Sequence, residues 1–238
     1  METTKQIPYG VADFESVINQ NLYYVDKTMY LAELEKQPRT LIFIRPRRFG
    51  KSLFISMMRA YYDKSKADRF DKLFGSLWVG SHPTPLRNHY QVLYLDFSRI
   101  GGNIDVLEKE FDSYCCIQLN DFIDTYRNDY PKEMVDEFLR AENATRKLNI
   151  LLNMSRKYDQ PLYLIIDEYD NFTNVVLSEH GEAIYHNMTH AAGFYREVFK
   201  KFKGMFERIF LTGVSPVTLD DLTSGFNIGW NISMAPEL

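Results

Sequence analysis

The chain has 238 residues, a net charge of −4 and 45% hydrophobic residues, enough for one large α/β domain or two small ones with a sizeable core. This charge gives no global attraction to nucleic acid, and no apolar run is long enough to cross a bilayer. The only cysteines, Cys115 and Cys116, are adjacent, and this spacing excludes a disulfide framework and a CxxC metal site. The N-terminus has no signal-peptide core. Together these features predict a cytoplasmic protein without membrane partners.

Residues 1–38 form a polar, aromatic-rich lead-in ahead of the first apolar strand. Asp13 is placed to cap a short helix, and a second helix over Met29–Lys36 is predicted to end before Pro38. Segments that precede a phosphate-binding loop often fold over the nucleotide base, so this lead-in is predicted to pack on a nucleotide site. Ordinary aromatic packing is the alternative role for three candidate base contacts: Tyr9, Phe14 and Tyr23.

A strand, a loop and a helix are predicted from Leu41 to Phe54, which reads LIFIRPRRFGKSLF. The N–H groups at a helix N-terminus are unpaired and carry partial positive charge, so they suit a polyphosphate. Lys51 is predicted to reach the β- and γ-phosphates, Ser52 to bind Mg²⁺, and Gly50 to let the backbone approach closely. The residues predicted to bind the nucleotide are Arg45, Pro46, Arg47, Arg48, Phe49, Gly50, Lys51, Ser52 and Leu53.

This loop departs from the full Walker A pattern, G-x-x-x-x-G-K-[ST], because Arg45 occupies the position of the first glycine. Pro46 favours an extended conformation at Arg45, so the first strand is predicted to run one residue further before the chain turns. A chance Gly-Lys-Ser after a buried strand is the alternative interpretation. The motif therefore needs a second, independent sign elsewhere in the chain.

Between the loop and that second sign, one strand and three helices are predicted. Gln91–Phe97 has the composition of a strand. Apolar residues recur at helical spacing from Asn103 to Arg127, and again in Met134–Leu139 and Leu148–Met154.

The second sign is the segment Leu162 to Glu168, LYLIIDE, an almost wholly apolar run that ends in two carboxylates. Such a run is typical of a parallel strand buried on both faces. Charges at its end are costly without a partner such as Mg²⁺. This is the Walker B pattern, in which Asp167 is predicted to hold the metal and Glu168 to orient and polarise the attacking water.

In the C-terminal part, the spacing of apolar residues predicts a largely helical segment over Gly181–Lys203. It also predicts another buried strand over Arg208–Gly213, near whose end lies the Thr212 hydroxyl. A short final strand is predicted within Asn227–Met234. The two motifs thus occur in the expected order, each on a strand.

With these residues, the chain resembles the bacterial family of predicted AAA-ATPase-like proteins, relatives of the archaeal ATPase and STAND P-loop groups. The resemblance covers essentially the whole chain, and Arg45 in place of the first glycine is typical of that family. The segments that carry it are Ile7–Gly10 (IPYG), Tyr24–Thr28 (YVDKT), Arg45–Ser52 (RPRRFGKS), Leu164–Asp170 (LIIDEYD) and Leu211–Pro216 (LTGVSP).

The resemblance implies a three-layer α/β/α P-loop NTPase core of the AAA-like (ASCE) type over residues 39–238, with a parallel five-stranded sheet of order 5-1-4-3-2. Thr212 would read the γ-phosphate and complete a catalytic set with Lys51 and Glu168. The resemblance also implies a truncated chain, since family members continue into a helical lid and often a C-terminal PD-(D/E)XK nuclease-like domain. DNA would then be a partner through that missing domain, and a homo-oligomer is a further expected assembly.

Three functions are compatible with these residues. The first is a Mg²⁺-dependent ATPase, whose core drives or gates a linked DNA-directed activity. The second is a STAND-like switch that binds the nucleotide with little turnover. A P-loop kinase is the third, and it is disfavoured because an acidic pair closes the Walker B strand and a hydroxyl closes the strand after it.

Overall fold

The computed structural model describes residues 5–101, 105–189, 199, 202, 204–215 and 229–235. Its strands are β1 (Thr40–Ile44), β2 (Gln91–Asp96), β3 (Leu162–Asp167), β4 (Arg208–Gly213) and β5 (Trp230–Asn231). Its α-helices are α1 (Phe14–Asn19), α2 (Met29–Lys36), α3 (Lys51–Tyr62), α4 (Phe70–Phe74), α5 (Trp78–Ser81), α6 (Leu107–Tyr126), α7 (Lys132–Arg140), α8 (Ala144–Lys157), α9 (Asn171–His180) and α10 (Glu182–Thr189). Within these ranges, no helix is both long and apolar enough to cross a membrane.

The described strands form one parallel sheet of order β2-β3-β4-β1-β5. This is the predicted order 5-1-4-3-2 read from the opposite edge, and β4 lies between β1 and β3 as expected. Ile44 pairs with Gly213, and Asp96 pairs with Asp167. The carboxyl ends of β1 to β4 therefore meet at one edge of the sheet, where α/β proteins bind their ligands.

Two apolar clusters cover the two faces of the sheet, because successive residues of each strand point to opposite sides. On one face, Ile42, Leu164 and Leu211 pack with α6 and α8. On the other face, strand residues such as Leu41 and Phe210 pack with α2 and α3. The predicted three-layer α/β/α arrangement is confirmed, and β3 is buried along its whole length.

The lead-in packs on α3 through its first helix. Asp13 accepts a hydrogen bond from Ser16 N at 2.7 Å and caps α1 as predicted. Ser56 of α3 accepts from Phe14 N at 2.9 Å and donates to Asp13 at 3.2 Å. The Phe14 ring is fully buried and stacks on Phe74 at a centroid distance of 5.1 Å. The prediction of a base contact is therefore wrong for Phe14, which belongs to the core.

The ends of several predicted elements differ from the sequence pattern. The ladder of β1 does extend one residue past its last strand position, since Arg45 N donates to Gly213 O at 3.2 Å. β2 ends at Asp96 rather than Phe97, because the Asp96 carboxylate caps a 3₁₀ turn by accepting from Ser98 N at 3.1 Å. The helix predicted from Asn103 to Arg127 is α6, which begins only at Leu107.

Two further predictions fall partly outside the described residues. The helical segment predicted over Gly181–Lys203 is described as α10 up to Thr189, and most of the remainder lies outside. The final strand is confirmed as β5, a short pairing of Trp230–Asn231 with β1.

Candidate functional site

The turn between β1 and α3 has a backbone suited to a ligand at the helix N-terminus. Gly50 immediately precedes α3 with φ +78°, a left-handed conformation that glycine adopts at little cost. Arg48 is also left-handed, with φ +68°. A Cβ on Gly50 would meet nothing within 4 Å. The left-handed conformation at position 50, rather than crowding, therefore requires glycine. The space beside Gly50 is open at the first turn of α3, whose N–H groups have no partner within the helix.

Lys51 is the most buried cation at this turn. Its side chain folds back over the loop, and Nζ donates to the carbonyl oxygens of Arg45 at 3.0 Å and Pro46 at 3.1 Å. The ammonium thus stands at the centre of the loop and holds the loop's shape. A phosphate placed on the helix N-terminus would lie beside this charge.

Asp167 is hydrogen-bonded both to Ser52, the other predicted metal ligand, and to Thr212, the predicted sensor of the γ-phosphate. Ser52 Oγ donates to Asp167 Oδ2 at 2.8 Å, and Thr212 Oγ1 donates to Asp167 Oδ1 at 2.5 Å. The carboxylate is 3% exposed, so these bonds compensate part of the cost of burying it. Ser52 lies 115 positions from Asp167 in the chain and Thr212 lies 45 positions from it, and the fold brings the three side chains together. A hydroxyl and a carboxylate are hard oxygen donors of the kind that Mg²⁺ prefers, so the donor set fits this cation.

Glu168 follows β3 directly and lies partly buried with φ +50°. A non-glycine residue in this conformation stores backbone strain of roughly 1–3 kcal/mol, a feature concentrated at functional sites. Burial, and next the Asp167 carboxylate, raise the pKa of the Glu168 carboxyl above its usual value, while the charges of Lys51 and Arg47 lower it. Glu168 is therefore close to Lys51 and Arg47 of the loop. A raised pKa makes the carboxylate a better proton acceptor.

Asp170 fixes the loop that leaves β4. Its carboxylate is 1% exposed and accepts from Val214 N at 3.0 Å, Ser215 N at 2.5 Å and Asn174 Nδ2 at 3.1 Å. The neighbouring Tyr169 hydroxyl donates to Ser215 O at 2.7 Å. The segment after β3 is thus bonded to the segment after Thr212.

Gly213 lies between these two segments and allows them to approach. A Cβ added there would meet Tyr169 Cε1 at 2.5 Å and Asp170 Oδ1 at 2.7 Å. Contacts this close do not occur for real Cβ atoms, so close packing rather than a positive φ requires glycine here.

The other predicted nucleotide ligands have different environments. Arg45 lies over the Phe43 ring at 4.8 Å and donates to the carbonyl oxygens of Ser233 and Ile44, so its guanidinium is bound to the end of the sheet. Leu53 is half-buried against the apolar cluster around α3. The remaining loop side chains are exposed: Pro46, Arg47, Arg48 and Phe49.

Three polar residues of the site were missed in the sequence. Asp96 shares an open groove with Ser52 and Glu168. Its signal was present, because β2 ends in a carboxylate just as β3 does. Ser233 Oγ accepts from Ile44 N at 2.7 Å, which fixes the end of β1. The role of Asp170 depends on a loop 44 residues away, and no local signal marks it.

The comparison with known families agrees with this geometry. The family model described as "Predicted AAA-ATPase" (AAA-ATPase_like) matches residues 8–223. The chain belongs to this family. Membership supports a nucleotide-binding, ATPase-like function, and the family's own description gives that activity as a prediction.

Two individual proteins are similar to this AAA-ATPase-like chain. One, from Azotobacter chroococcum mcd 1, is described as an uncharacterized protein in the vnfD 5′ region and is 40% identical over 88 residues. That match covers 33% of this chain and 16% of the relative, so the chain corresponds to a small part of that relative's length. The other is the crystal structure of Cdc6p from Pyrobaculum aerophilum, with 11% identity and a TM-score of 0.36, covering 96% of this chain and 47% of that one.

Proposed function

We propose that this chain binds Mg²⁺-ATP at the turn between β1 and α3 and hydrolyses it. The observation that carries the proposal is the bonding of Ser52 and Thr212 to one buried carboxylate, Asp167, directly in front of a helix N-terminus. Membership of the AAA-ATPase-like family supports the same proposal.

Each residue has a distinct role in the proposed reaction. The N–H groups at the start of α3 and the Lys51 ammonium bind the phosphates, and these charge-assisted hydrogen bonds are the strong ones. Ser52 and Asp167 would hold Mg²⁺, which, when bound, neutralises negative charge on the phosphates. Thr212 would contact the γ-phosphate, and the Glu168 carboxylate would accept a hydrogen bond from the attacking water and orient it.

Binding is tested first, by calorimetric titration of ATP with and without Mg²⁺. Lys51→Ala removes the buried ammonium from the loop, and we expect ATP affinity to fall by at least about tenfold, since a charged hydrogen bond contributes ~1.5–3 kcal/mol. Lys132→Ala, an exposed lysine at the start of α7, is the matched control and should bind as the wild type does. Equal binding by wild type and Lys51→Ala would refute the phosphate-binding role of the loop.

Hydrolysis is tested separately, by steady-state phosphate release. Glu168→Gln keeps the shape of the side chain but cannot act as a carboxylate toward water, so we expect binding to persist and turnover to be lost. Tight ATP binding by the wild type without any phosphate release would instead favour the switch over the hydrolase.

We further propose that residues 1–38 act as a lead-in to a core over residues 39–238, and that, where this core is joined to a nuclease-like domain, hydrolysis drives or gates a linked DNA-directed activity. The support for this part is the resemblance noted in the sequence. Phosphate release by a protein that joins this core to such a domain, with and without duplex DNA, tests it, and we expect DNA to change the rate. An unchanged rate would argue against a DNA-linked role.

A further inference from the structure

A cavity of about 160 Å³ opens between α2 and the phosphate-binding turn. Gly50 and Lys51 line one end of it, so the cavity is continuous with the proposed phosphate site. Five of its eleven lining residues are aromatic, and among these Tyr30, Phe54 and Phe210 contribute rings from α2, α3 and β4. None of the functions assigned above uses this space.

The size and chemistry of the cavity suit one flat aromatic ring system. An apolar cavity of ~150 Å³ is large enough to hold a benzene ring. The rings of Phe43, Phe54 and Phe210 form a cluster in which each pair of centroids is 6.3 to 6.4 Å apart. Phe43 and Phe54 are only half-buried, so a flat apolar ligand would remove more of their surface from water. Stacking of a base on such rings is favourable and does not require hydrogen bonds.

The YVDKT segment supplies a donor at the cavity mouth. Asp26 accepts from Thr28 N at 2.8 Å and from Trp78 N at 2.7 Å. The Thr28 hydroxyl donates to Asp26 at 2.7 Å and accepts from Val79 N at 3.1 Å. These two side chains therefore fix the segment to the start of α5.

Lys27, between them, lines the cavity. Its side chain is exposed, and no described residue pairs with its ammonium in an ion pair or hydrogen bond. A lysine ammonium only donates hydrogen bonds, so the group it would contact on a ligand must be an acceptor, such as a ring nitrogen of a purine.

We propose that this cavity binds the base of the nucleotide whose phosphates lie at the α3 N-terminus. Tyr30 and Phe54 contact the faces of the base, and Lys27 donates to an acceptor atom on its edge. This inference rests on the proposed nucleotide-binding function. It differs from the sequence prediction of Tyr9 and Tyr23, which are exposed and do not line the cavity.

The test compares ATP with inorganic tripolyphosphate, each with Mg²⁺, by calorimetric titration of the whole chain. Tyr30→Ala removes the ring, and we expect ATP affinity to fall about tenfold, the effect of losing one stacked base. Tripolyphosphate, which has no base, should bind Tyr30→Ala as well as it binds the wild type. Tyr30→Phe keeps the ring and should retain ATP affinity. Tyr23→Ala is the matched control for loss of an exposed tyrosine.

Several results would overturn the inference. One is an equal loss of ATP and tripolyphosphate affinity in Tyr30→Ala, and another is no loss at all. An ATP-specific loss in Tyr23→Ala but not in Tyr30→Ala would assign the base contact to Tyr23 instead of this cavity. Should Tyr30→Ala fail to fold, Tyr30→Leu replaces it, with an ATP-specific loss of about threefold expected.

The failure of this inference and of the proposed function are distinguishable. Equal affinity of the wild type for ATP and tripolyphosphate removes the base pocket but leaves the phosphate site intact. A wild type that binds neither ligand refutes the proposed function, and the base pocket with it.

Discussion

Asp170 offers a sharp test of how the end of β3 controls the sensor strand. Asp170→Asn keeps the volume of the side chain but replaces one acceptor oxygen by an NH₂ group. In the structure this carboxylate accepts from three donors, the N–H groups of Val214 and Ser215 and the side-chain amide of Asn174. Since Val214 N also lies 3.2 Å from the second oxygen, an amide nitrogen there would face another donor.

The magnitude follows from these contacts. Hydrogen bonds to a charged group contribute ~1.5–3 kcal/mol each, against about 1 kcal/mol for neutral ones. Three donors therefore lose roughly 2–4 kcal/mol when the acceptor becomes an amide. Relief from burying the charge offsets part of this loss. We expect a net decrease of about 2 kcal/mol in the free energy of unfolding. Asp170→Ala leaves all three donors without an acceptor and should cost more, about 4 kcal/mol.

The assay is urea denaturation, compared through the midpoint at constant slope. Asp124→Asn, an exposed aspartate on α6, makes the same change of charge and should shift stability by less than about 0.5 kcal/mol. Because Val214 and Ser215 directly follow the strand that holds Thr212, Asp170→Asn should also lower ATP turnover more than ATP binding. A stability change in Asp170→Asn as small as in the control would refute the reasoning.

Two other predictions concern the same strand ends. Gly213→Ala should lower the free energy of unfolding by about 1–3 kcal/mol, because the added Cβ meets Tyr169 and Asp170, and urea denaturation measures it. Glu168→Gln should be more stable than the wild type at pH 7, since the folded pKa of Glu168 lies above its unfolded value and its charged form opposes folding. This advantage should shrink as pH falls through the raised pKa of Glu168 toward ~4.3, where wild-type Glu168 is protonated. A constant difference from pH 7 to pH 4 would contradict the assigned cause.

The fold was largely predictable because its strands are apolar runs bounded by turn residues. Arg208–Gly213 was predicted with the bounds that the structure shows, and the run predicted over Leu162–Glu168 ends one residue earlier, at Asp167. Local pattern gives no strand order, however, since a parallel sheet is assembled by crossovers between distant segments. The order came from the family resemblance. Boundaries failed where a side chain intervened, as at Asp96, whose carboxylate starts a 3₁₀ turn and ends β2.

The residues of the candidate site were likewise only partly predictable from the sequence. The positions of residues within the motifs, such as Lys51 and Asp167, could be predicted from spacing, because the strand–turn–helix order fixes where they lie. Whether Phe14 faces a ligand or the core could not be decided, since its environment is made by Phe74 and Ser56 from later segments. Roles that depend on two distant loops meeting are not visible in any window of the sequence.

The four residues from Asp167 to Asp170 show how one strand end can organise its neighbours. Asp167 binds the hydroxyls of Ser52 and Thr212, and Asp170 binds the loop after β4. A serine hydroxyl has one proton to donate and lone pairs besides, so Ser52 can keep its bond to Asp167 while its oxygen faces a cation. Binding of a cation there would need little rearrangement, and such preorganisation is a main source of electrostatic stabilisation in enzymes. The strain at Glu168 has a physical reason in this setting, since Asp167 and Asp170 are fixed on either side and the backbone between them must turn sharply.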